Sequence, residues 1–457
     1  MTSITRAETL TEALAAAYKF NPRLDAARAT LRATDEEVPR ALSGYRPSIT
    51  GTSDAGYQRV LSKPAQPTDA ATNPRGYSVG LVQPLFNGFR TVNAVNGAEA
   101  TVRAGRETLR NTEQAVLLDA VTFYVDVVRD QEIVRLREAY ATALVRDEKN
   151  TQERFRAGEV TRTDLSQVQA RRLTASAALD LAQASLRTSR ANFERVIGHP
   201  PSHLVAARET SRIAKTLEEN QEVAGRESPT VVGALYREQA ARYSIDEIRG
   251  ELLPTAQLEA NYGQRYDLPG SSLPPLIDQQ QTTLVTARLS VPFYSGGEVQ
   301  ARVRQAKQTQ IQRLQEIEQA RTETLAQVVA AWSQLLATRM AVNLDEQAVE
   351  VNRTAVTGVR QEERAGQRTV IEVLNAESEL LNAQINLATD RHNLVVASYT
   401  VLSSIGRLNA QELSLASLIY DPEAHYREVR RQWLDISITH SDGRSETLTA
   451  TPARGGD

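Results

Sequence analysis

The chain has no cysteine among its 457 residues. That excludes zinc ribbons, thiol catalysis and any disulfide framework, and it fits an exported protein. Aromatic residues are scarce at 5%, the hydrophobic share is 41% and the mean hydropathy is −0.40, so one large conventional core is not expected. Excess basic charge is missing too: 53 Lys and Arg stand against 56 Asp and Glu, a net charge of −3. A nucleic-acid partner, which needs a basic face, is therefore not expected. No run approaches the ~18–20 apolar residues of a bilayer-spanning helix. The longest uncharged stretches, 324–338 and 393–406, are too short and too polar. The opening Met1-Thr2-Ser3-Ile4-Thr5-Arg6 lacks the basic and apolar regions of a signal peptide; either the chain is cytosolic or a leader has been removed or replaced.

What the chain has is a duplication. Pro22 recurs as Pro229 and Pro47 as Pro254, each 207 residues on, and Pro84 recurs as Pro292 at 208. From there the spacing of 208 holds: Tyr124 with Trp332, Arg156-Ala157-Gly158 with Arg364-Ala365-Gly366, Thr161 with Thr369, Leu179 with Leu387, Ile197-Gly198 with Ile405-Gly406. A gap-free match of this length implies two copies of one structural unit. We place the first at 1–203 and the second at 204–408, with a C-terminal extension at 409–457 that is partly helical and then disordered.

Each copy opens with a modest helix: 9–20 and 22–42 in the first, 229–250 in the second. Period-two alternation follows. Ser48, Thr50, Thr52 and Asp54 interleave with Ile49, Gly51, Ser53 and Ala55; Thr255, Gln257, Glu259 and Asn261 interleave with Ala256, Leu258 and Ala260. With the alternating stretches around 77–82 and 283–289, this predicts two strands per copy, each between unlike surroundings: 45–62 and 75–86, then 253–266 and 282–294. The Pro-, Ser- and Thr-rich connectors 62–74 and 267–281 read as long exposed hairpin loops.

After Pro84 and Pro292 the composition changes. Segments 88–156 and 296–364 contain no proline and are dense in Ala, Glu, Arg, Gln and Leu, good helix formers; each helix would be ~100 Å long at 1.5 Å per residue. Turns at Gly158 and Gly366 reverse the chain into helices over 161–197 and 369–405. On the first of these Leu179, Ala182, Leu186, Ser189, Phe193 and Val196 keep heptad spacing. The fold class is thus mainly α with a small β part: hairpins 88–198 and 296–406 as long antiparallel coiled coils, plus four strands.

Nine aromatics (Tyr45, Tyr57, Tyr77, Phe86, Phe89, Tyr262, Tyr266, Phe293, Tyr294) fall in or beside the four strand segments. Aromatic girdles bordering an apolar face, with a polar face opposite, mark a transmembrane β-barrel; the competing reading is a soluble sheet edge. Four strands cannot close a barrel, and unpaired backbone groups in lipid cost several kcal/mol each, so protomers would have to share one.

Several motifs stand in this order of helix, strand, strand and long hairpin, given twice: Thr9-Leu10-Thr11-Glu12-Ala13-Leu14 with Asn21-Pro22, the turn Gln83-Pro84-Leu85-Phe86-Asn87-Gly88, and the tips from Gly158 to Asp164 and from Gly366 to Ala376. In that order and duplication the chain resembles the TolC family of outer-membrane efflux and secretion channels. The similarity spans about 7–410. The resemblance implies a homotrimer whose strands form a shared twelve-stranded barrel in the outer membrane of a Gram-negative envelope. Its helices would form a periplasmic α-barrel, and its tips would dock a periplasmic adaptor (membrane fusion protein) coupled to an inner-membrane transporter of ABC or RND type. Gly158, Val160, Thr161, Gly366 and Thr369 fall at the docking tips. Glu372 and Asn375 match positions that ring the entrance, and Arg368 with Thr163 and Asp164 matches residues linking neighbouring hairpins. This chain departs from the pattern twice: Asn375 replaces an acid, and acids stand at both Glu362 and Glu363 where an aromatic gate partner is common. Thr161 with Asp164 and Thr369 with Glu372 also have capping-box spacing, a purely structural role compatible with the first.

The remaining signals are weak. His199 and His203 lie in Gly198-His199-Pro200-Pro201-Ser202-His203, where the prolines deny them a helical face, so no metal pair is expected. Gly296-Gly297 lacks the Lys and Ser/Thr of a phosphate loop. No catalytic constellation occurs among five histidines, so no enzyme, cofactor or metal is expected. The alternative function is a soluble or surface coiled-coil scaffold.

Overall fold

The computed structural model describes residues 7–62, 68–267, 279–415, 419–434, 436–439 and 445–447. The first half runs α1 (Leu10–Phe20), α2 (Pro22–Asp35), α3 (Glu37–Leu42), β1 (Ser48–Ala55), β2 (Gln58–Ser62), β3 (Thr68–Thr72), β4 (Arg75–Asn87), α4 (Arg90–Arg156) and α5 (Arg162–Ile197). The second runs α6 (Leu217–Glu227), α7 (Pro229–Arg249), β5 (Thr255–Tyr266), β6 (Gln279–Ser290), α8 (Glu298–Arg364) and α9 (Val370–Ser404), followed by α10 (Ala424–Val429), β7 (Ser437–Thr439) and β8 (Ser445–Thr447). The fold is mainly α with a small β part, as expected.

The two long helices have 67 residues each, about 100 Å at 1.5 Å per residue. Neither is interrupted, because neither contains proline. Their reversals need positive φ, supplied by Gly158 at +79° and Gly366 at +76°; a Cβ at either is strained there. Between strand and helix, Gly88 has φ +68° and its missing Cβ would lie 2.2 Å from the Gly250 carbonyl oxygen, so the two repeats touch backbone to backbone at this point.

Four strands form one antiparallel sheet in the order β1-β4-β5-β6. β4 and β5 join the repeats, leaving β1 and β6 as open edges. Several expectations need correction. The connector 62–74 is not simply a loop: Thr68–Thr72 pairs with Gln58–Ser62 as a separate hairpin, which also breaks the first expected strand at Gly56 and Tyr57, while 63–67 lie outside the described residues. β6 begins at Gln279, three residues earlier than expected, and ends at Ser290, short of Pro292, which has no N–H for a ladder; 268–278 are outside the described residues. The expected helix 22–42 is divided at Glu36, and α6 was not expected. In the tail α10 is helical, but β7 and β8 pair where disorder was expected; 448–457 lie outside the described residues.

The main core forms where α1, α4, α5 and the end of α9 meet, around Leu14, Leu117, Tyr124, Phe193 and Ile405. The Tyr124 hydroxyl lies 2.8 Å from the Glu8 carbonyl oxygen and 2.7 Å from that of Val205, within reach of both strands of the parallel bridge between Glu8 and Leu204. Burial pushes its pKa up to about 12.

Candidate functional site

Cross-strand partners share a face of a sheet, so register decides what each face is made of. Ile49 pairs with Leu81, Leu81 with Ala260, and Ala260 with Val285. Val79 pairs with Tyr262, and Leu258 with Ala287. One face is therefore mainly apolar across all four strands, with Gln83 and Thr283 as its polar exceptions between the aromatic borders. Tyr77, Tyr262 and Tyr266 border it at one end. Phe86, restored to this face by the bulge between Pro84 and Phe86, borders it at the other. From Tyr77 to Phe86 is about 30 Å along the strand at ~3.3 Å per residue, or roughly 23 Å of height at a ~40° tilt, close to the ~25 Å apolar band of outer-membrane barrels.

The opposite face carries Thr50, Thr52, Ser78, Asn261 and Thr286, with Val82 and Leu284 as its apolar exceptions. Arg288 donates to both carboxylate oxygens of Glu259 at 2.8 and 3.1 Å, and Arg265 reaches Asp54 at 3.4 Å. Opposite charges paired across strands on this face fit an aqueous lumen. Among the described residues, no helix is long and apolar enough to cross a membrane.

The far end of the molecule is formed by the two hairpin tips. Thr161 caps α5: its hydroxyl accepts from the Asp164 N–H at 3.2 Å, while Asp164 Oδ2 accepts from the Thr161 N–H at 2.9 Å and its hydroxyl at 2.7 Å. The Thr161 hydroxyl and then its N–H hold the Asp164 carboxyl below the usual carboxylate range. At α9, Glu372 Oε2 accepts from the Thr369 N–H at 2.8 Å and its hydroxyl at 2.9 Å. Arg368 donates to Glu372 Oε1 at 2.7 Å and to Glu362 Oε2 at 2.9 Å. The Thr369 N–H first, then Arg368 and the Thr369 hydroxyl, bring Glu372 down to about 2. Both capping boxes are thus formed. Gly158, Val160, Thr163, Gly366 and Thr369 lie at the exposed or half-exposed extremity.

Within the chain Arg368 pairs inside its own hairpin, and the links between hairpins are made by other groups. Arg154, at the end of α4, donates to Glu363 Oε1 at 2.6 Å, and Arg171 donates to Asn375 Oδ1 at 2.9 Å. Leu374, 1% exposed, inserts between Leu144, Val168 and Ala175 of the first hairpin, flanked by Val370 and Ile371. One turn further, buried Glu377 accepts from Arg360 Nε at 2.9 Å and Nη2 at 2.5 Å; burial first, and then the Glu377 carboxylate, raises the pKa of Asp147. Sequence reasoning missed Arg154, Arg171, Arg360 and Glu377. Helical spacing says which residues share a face, but not which helix will lie opposite.

Comparison with known proteins agrees with this architecture. The outer membrane efflux protein family matches residues 13–199 and 222–407, one match on each repeat. The chain is 35% identical over 437 residues to the outer membrane efflux protein BepC of Brucella suis, covering 96% of this chain and 93% of that one. It is 24% identical over 421 residues to the outer membrane protein TolC of Escherichia coli, covering 90% and 85%. In fold it is similar to the outer membrane channel CmeC of Campylobacter jejuni, with a TM-score of 0.77 at 14% identity over 92% of this chain and 89% of that one. A duplicated hairpin architecture, a sheet with one lipid-compatible face and a match on both repeats make one conclusion: this chain belongs to the outer membrane efflux protein family, the outer-membrane channels of efflux pumps and secretion systems.

Proposed function

We propose that three copies of this chain form a passive exit duct, the outer-membrane component of a tripartite efflux pump or type I secretion system. The observation that carries this reading is the four-stranded sheet with one apolar face and two open edges, β1 and β6. In lipid those edges would cost on the order of tens of kcal/mol, since each unsatisfied backbone group costs several. Pairing β1 of one copy with β6 of the next removes both edges, and three copies supply twelve strands, above the eight at which such barrels begin.

The helices support the same assembly. Ile311, Leu314, Leu325, Val329, Leu336, Met340, Leu344 and Val351 are exposed along α8, mostly three, four or seven residues apart, as in an unpartnered coiled-coil seam. Leu173 and Leu181 are exposed on α5. A head-to-tail ring buries one against the other.

The long helices then make a periplasmic α-barrel that narrows at the tips. Glu372 and Asn375 line the constriction, with Asp164, Thr163 and Arg368 holding it shut. Gly158, Val160, Thr161, Gly366 and Thr369 present the docking surface for a periplasmic adaptor that couples the duct to an inner-membrane ABC or RND transporter. Because Asn375 is neutral and Arg368 offsets Glu372, the constriction carries little net negative charge.

Fractionation of the expressing cells tests this. The expected product sits in the outer membrane, requires detergent, migrates as a heat-modifiable trimer and gives discrete conductance steps in planar bilayers. A salt-soluble monomer without conductance overturns the proposal in favour of a coiled-coil scaffold.

A further inference from the structure

After α9 the chain runs along α4 in one direction only. The Ala410 N–H donates to Glu113 Oε1 at 2.6 Å. Arg106 then meets Glu423 at 2.7 Å, and Glu99 receives both the Tyr426 hydroxyl at 3.2 Å and Arg430 at 2.9 Å. The α4 partners are seven residues apart, two helical turns each, so the arm climbs ~21 Å at 1.5 Å per residue toward the sheet. Buried Asp35 of α2 holds it from the side, 3.2 Å from His425 Nδ1.

Three residues beyond Arg430 the arm reaches the foot of the sheet. The Arg46 guanidinium lies 4.6 Å from the centroid of the Trp433 ring, a cation–π stack two residues before β1. Tyr45 beside it is tied to the foot of β4, its carbonyl accepting from Gln83 Nε2 at 2.9 Å. Here the arm turns apolar: Trp433 is 64% exposed, Leu434 94% and Ile436 59%. Trp433 is held by Arg46 at the end of the sheet that Phe86 borders, and Leu434 and Ile436 follow it within three residues. Phe86 and Phe89 stack edge to face at 5.1 Å between centroids, and Phe293 is 96% exposed on the same rim. Half-buried Arg46 and exposed Arg431 flank the patch. Tryptophan with neighbouring arginine is the composition of a membrane–water interface, where the ring lies at headgroup depth and the cation meets phosphate.

We propose that the C-terminal arm is a second membrane anchor, docking Trp433, Leu434 and Ile436 into the periplasmic leaflet of the outer membrane beside the barrel, with phospholipid headgroups as its partner. The anchor rests on the channel reading, because it needs the apolar face of the sheet to be in lipid. It fixes the end of the helical barrel against the bilayer at three points around the ring, outside the barrel wall itself.

The chain has two tryptophans, Trp332 and Trp433, so Trp332→Phe leaves a single reporter in the full-length protein. Reconstituted into phosphatidylethanolamine–phosphatidylglycerol vesicles, that variant should lose its emission when the lipids carry bromine near the top of the acyl chain. Cysteine scanning needs no background removal here, so a nitroxide on Leu434→Cys provides the second readout and should collide with oxygen rather than with a water-soluble nickel chelate. Strong acrylamide quenching without bromolipid quenching means the arm stays in water and overturns the anchor. Protection from both quenchers means the next protomer covers it, and overturns it equally. A Tyr262→Trp reporter in a Trp332→Phe, Trp433→Phe background separates the two levels. If bromolipid does not quench the reporter on the sheet, the channel reading fails; if it quenches that reporter but not Trp433, only the anchor fails.

Discussion

Leu81 offers the sharpest test of how the sheet is oriented. It lies four residues from Tyr77 and five from Phe86, midway between the aromatic borders, and pairs with Ile49 and Ala260 on the apolar face. Leu81→Arg therefore places a cation near the middle of the lipid-facing band, where arginine costs about 2–4 kcal/mol. At 1.4 kcal/mol per tenfold, that is roughly a 30- to 700-fold loss in the folding equilibrium per copy, and about 6–12 kcal/mol summed over the three copies of the proposed barrel. Asn261→Arg is the matched control: same sheet, same charge, but on the polar face next to Gly80 and Leu284. It meets water, so its effect on stability should stay within ~0.5 kcal/mol, while single-channel current should become less cation-selective. The assay is a urea titration of the heat-modifiable form in lipid vesicles, with density-gradient recovery of each variant from outer membranes. Equal midpoints for the two variants, or a greater loss for Asn261→Arg, would refute the face assignment and the barrel built on it.

Other outcomes follow from the tips. Asn375→Asp should add a carboxylate at the constriction and strengthen block of single-channel current by trivalent cations; tight block in the unmodified protein, unchanged by the substitution, contradicts the weak-ring reading. Asp164→Ala and Arg368→Ala should each raise conductance by loosening closure, and unchanged gating in both would count against these residues as closure elements. Glu372 binds its proton less tightly when folded, at about 2 instead of the ordinary 4.5, so its contribution is complete above the ordinary value and disappears as pH falls toward 2. Carboxyl NMR should find it still ionised at pH 3, and Arg368→Ala should move its titration upward; titration at an ordinary carboxylate pH in the unmodified chain defeats the capping geometry. Leu374→Ala removes a buried wedge between the hairpins and should cost about 2–5 kcal/mol locally, read as faster hydrogen exchange at residues 375–378 of α9, whose amides are bonded within the helix; unaltered exchange there would show that the wedge holds nothing.

Much of the architecture is legible in local chemistry. Proline-free, Ala- and Glu-rich stretches give two uninterrupted 67-residue helices, and the glycines at 158 and 366 mark both reversals because only they accept positive φ without strain. Alternation from Ser48 to Ala55 and from Thr255 to Asn261 assigns the two faces of the sheet before any partner is known. The capping boxes at Thr161 and Thr369 are visible for the same reason: cap and carboxylate are three residues apart. The β2–β3 hairpin is harder to see, since Thr68–Thr72 is a short polar strand whose stability depends on pairing rather than on its own pattern.

The duplication, the element types and the unlike faces of each strand can be read from residue order, because all three depend on interactions within a few residues or on copying of the whole unit. Packing alone places β4 beside β5, brings Arg154 to Glu363 while Arg368 stays within its own hairpin, and leads the C-terminal arm up α4 to set Trp433 against Arg46. These are contacts between segments up to several hundred residues apart. Their pairing is set by the net free energy of packing whole helices and closing whole strand edges, which no local periodicity encodes.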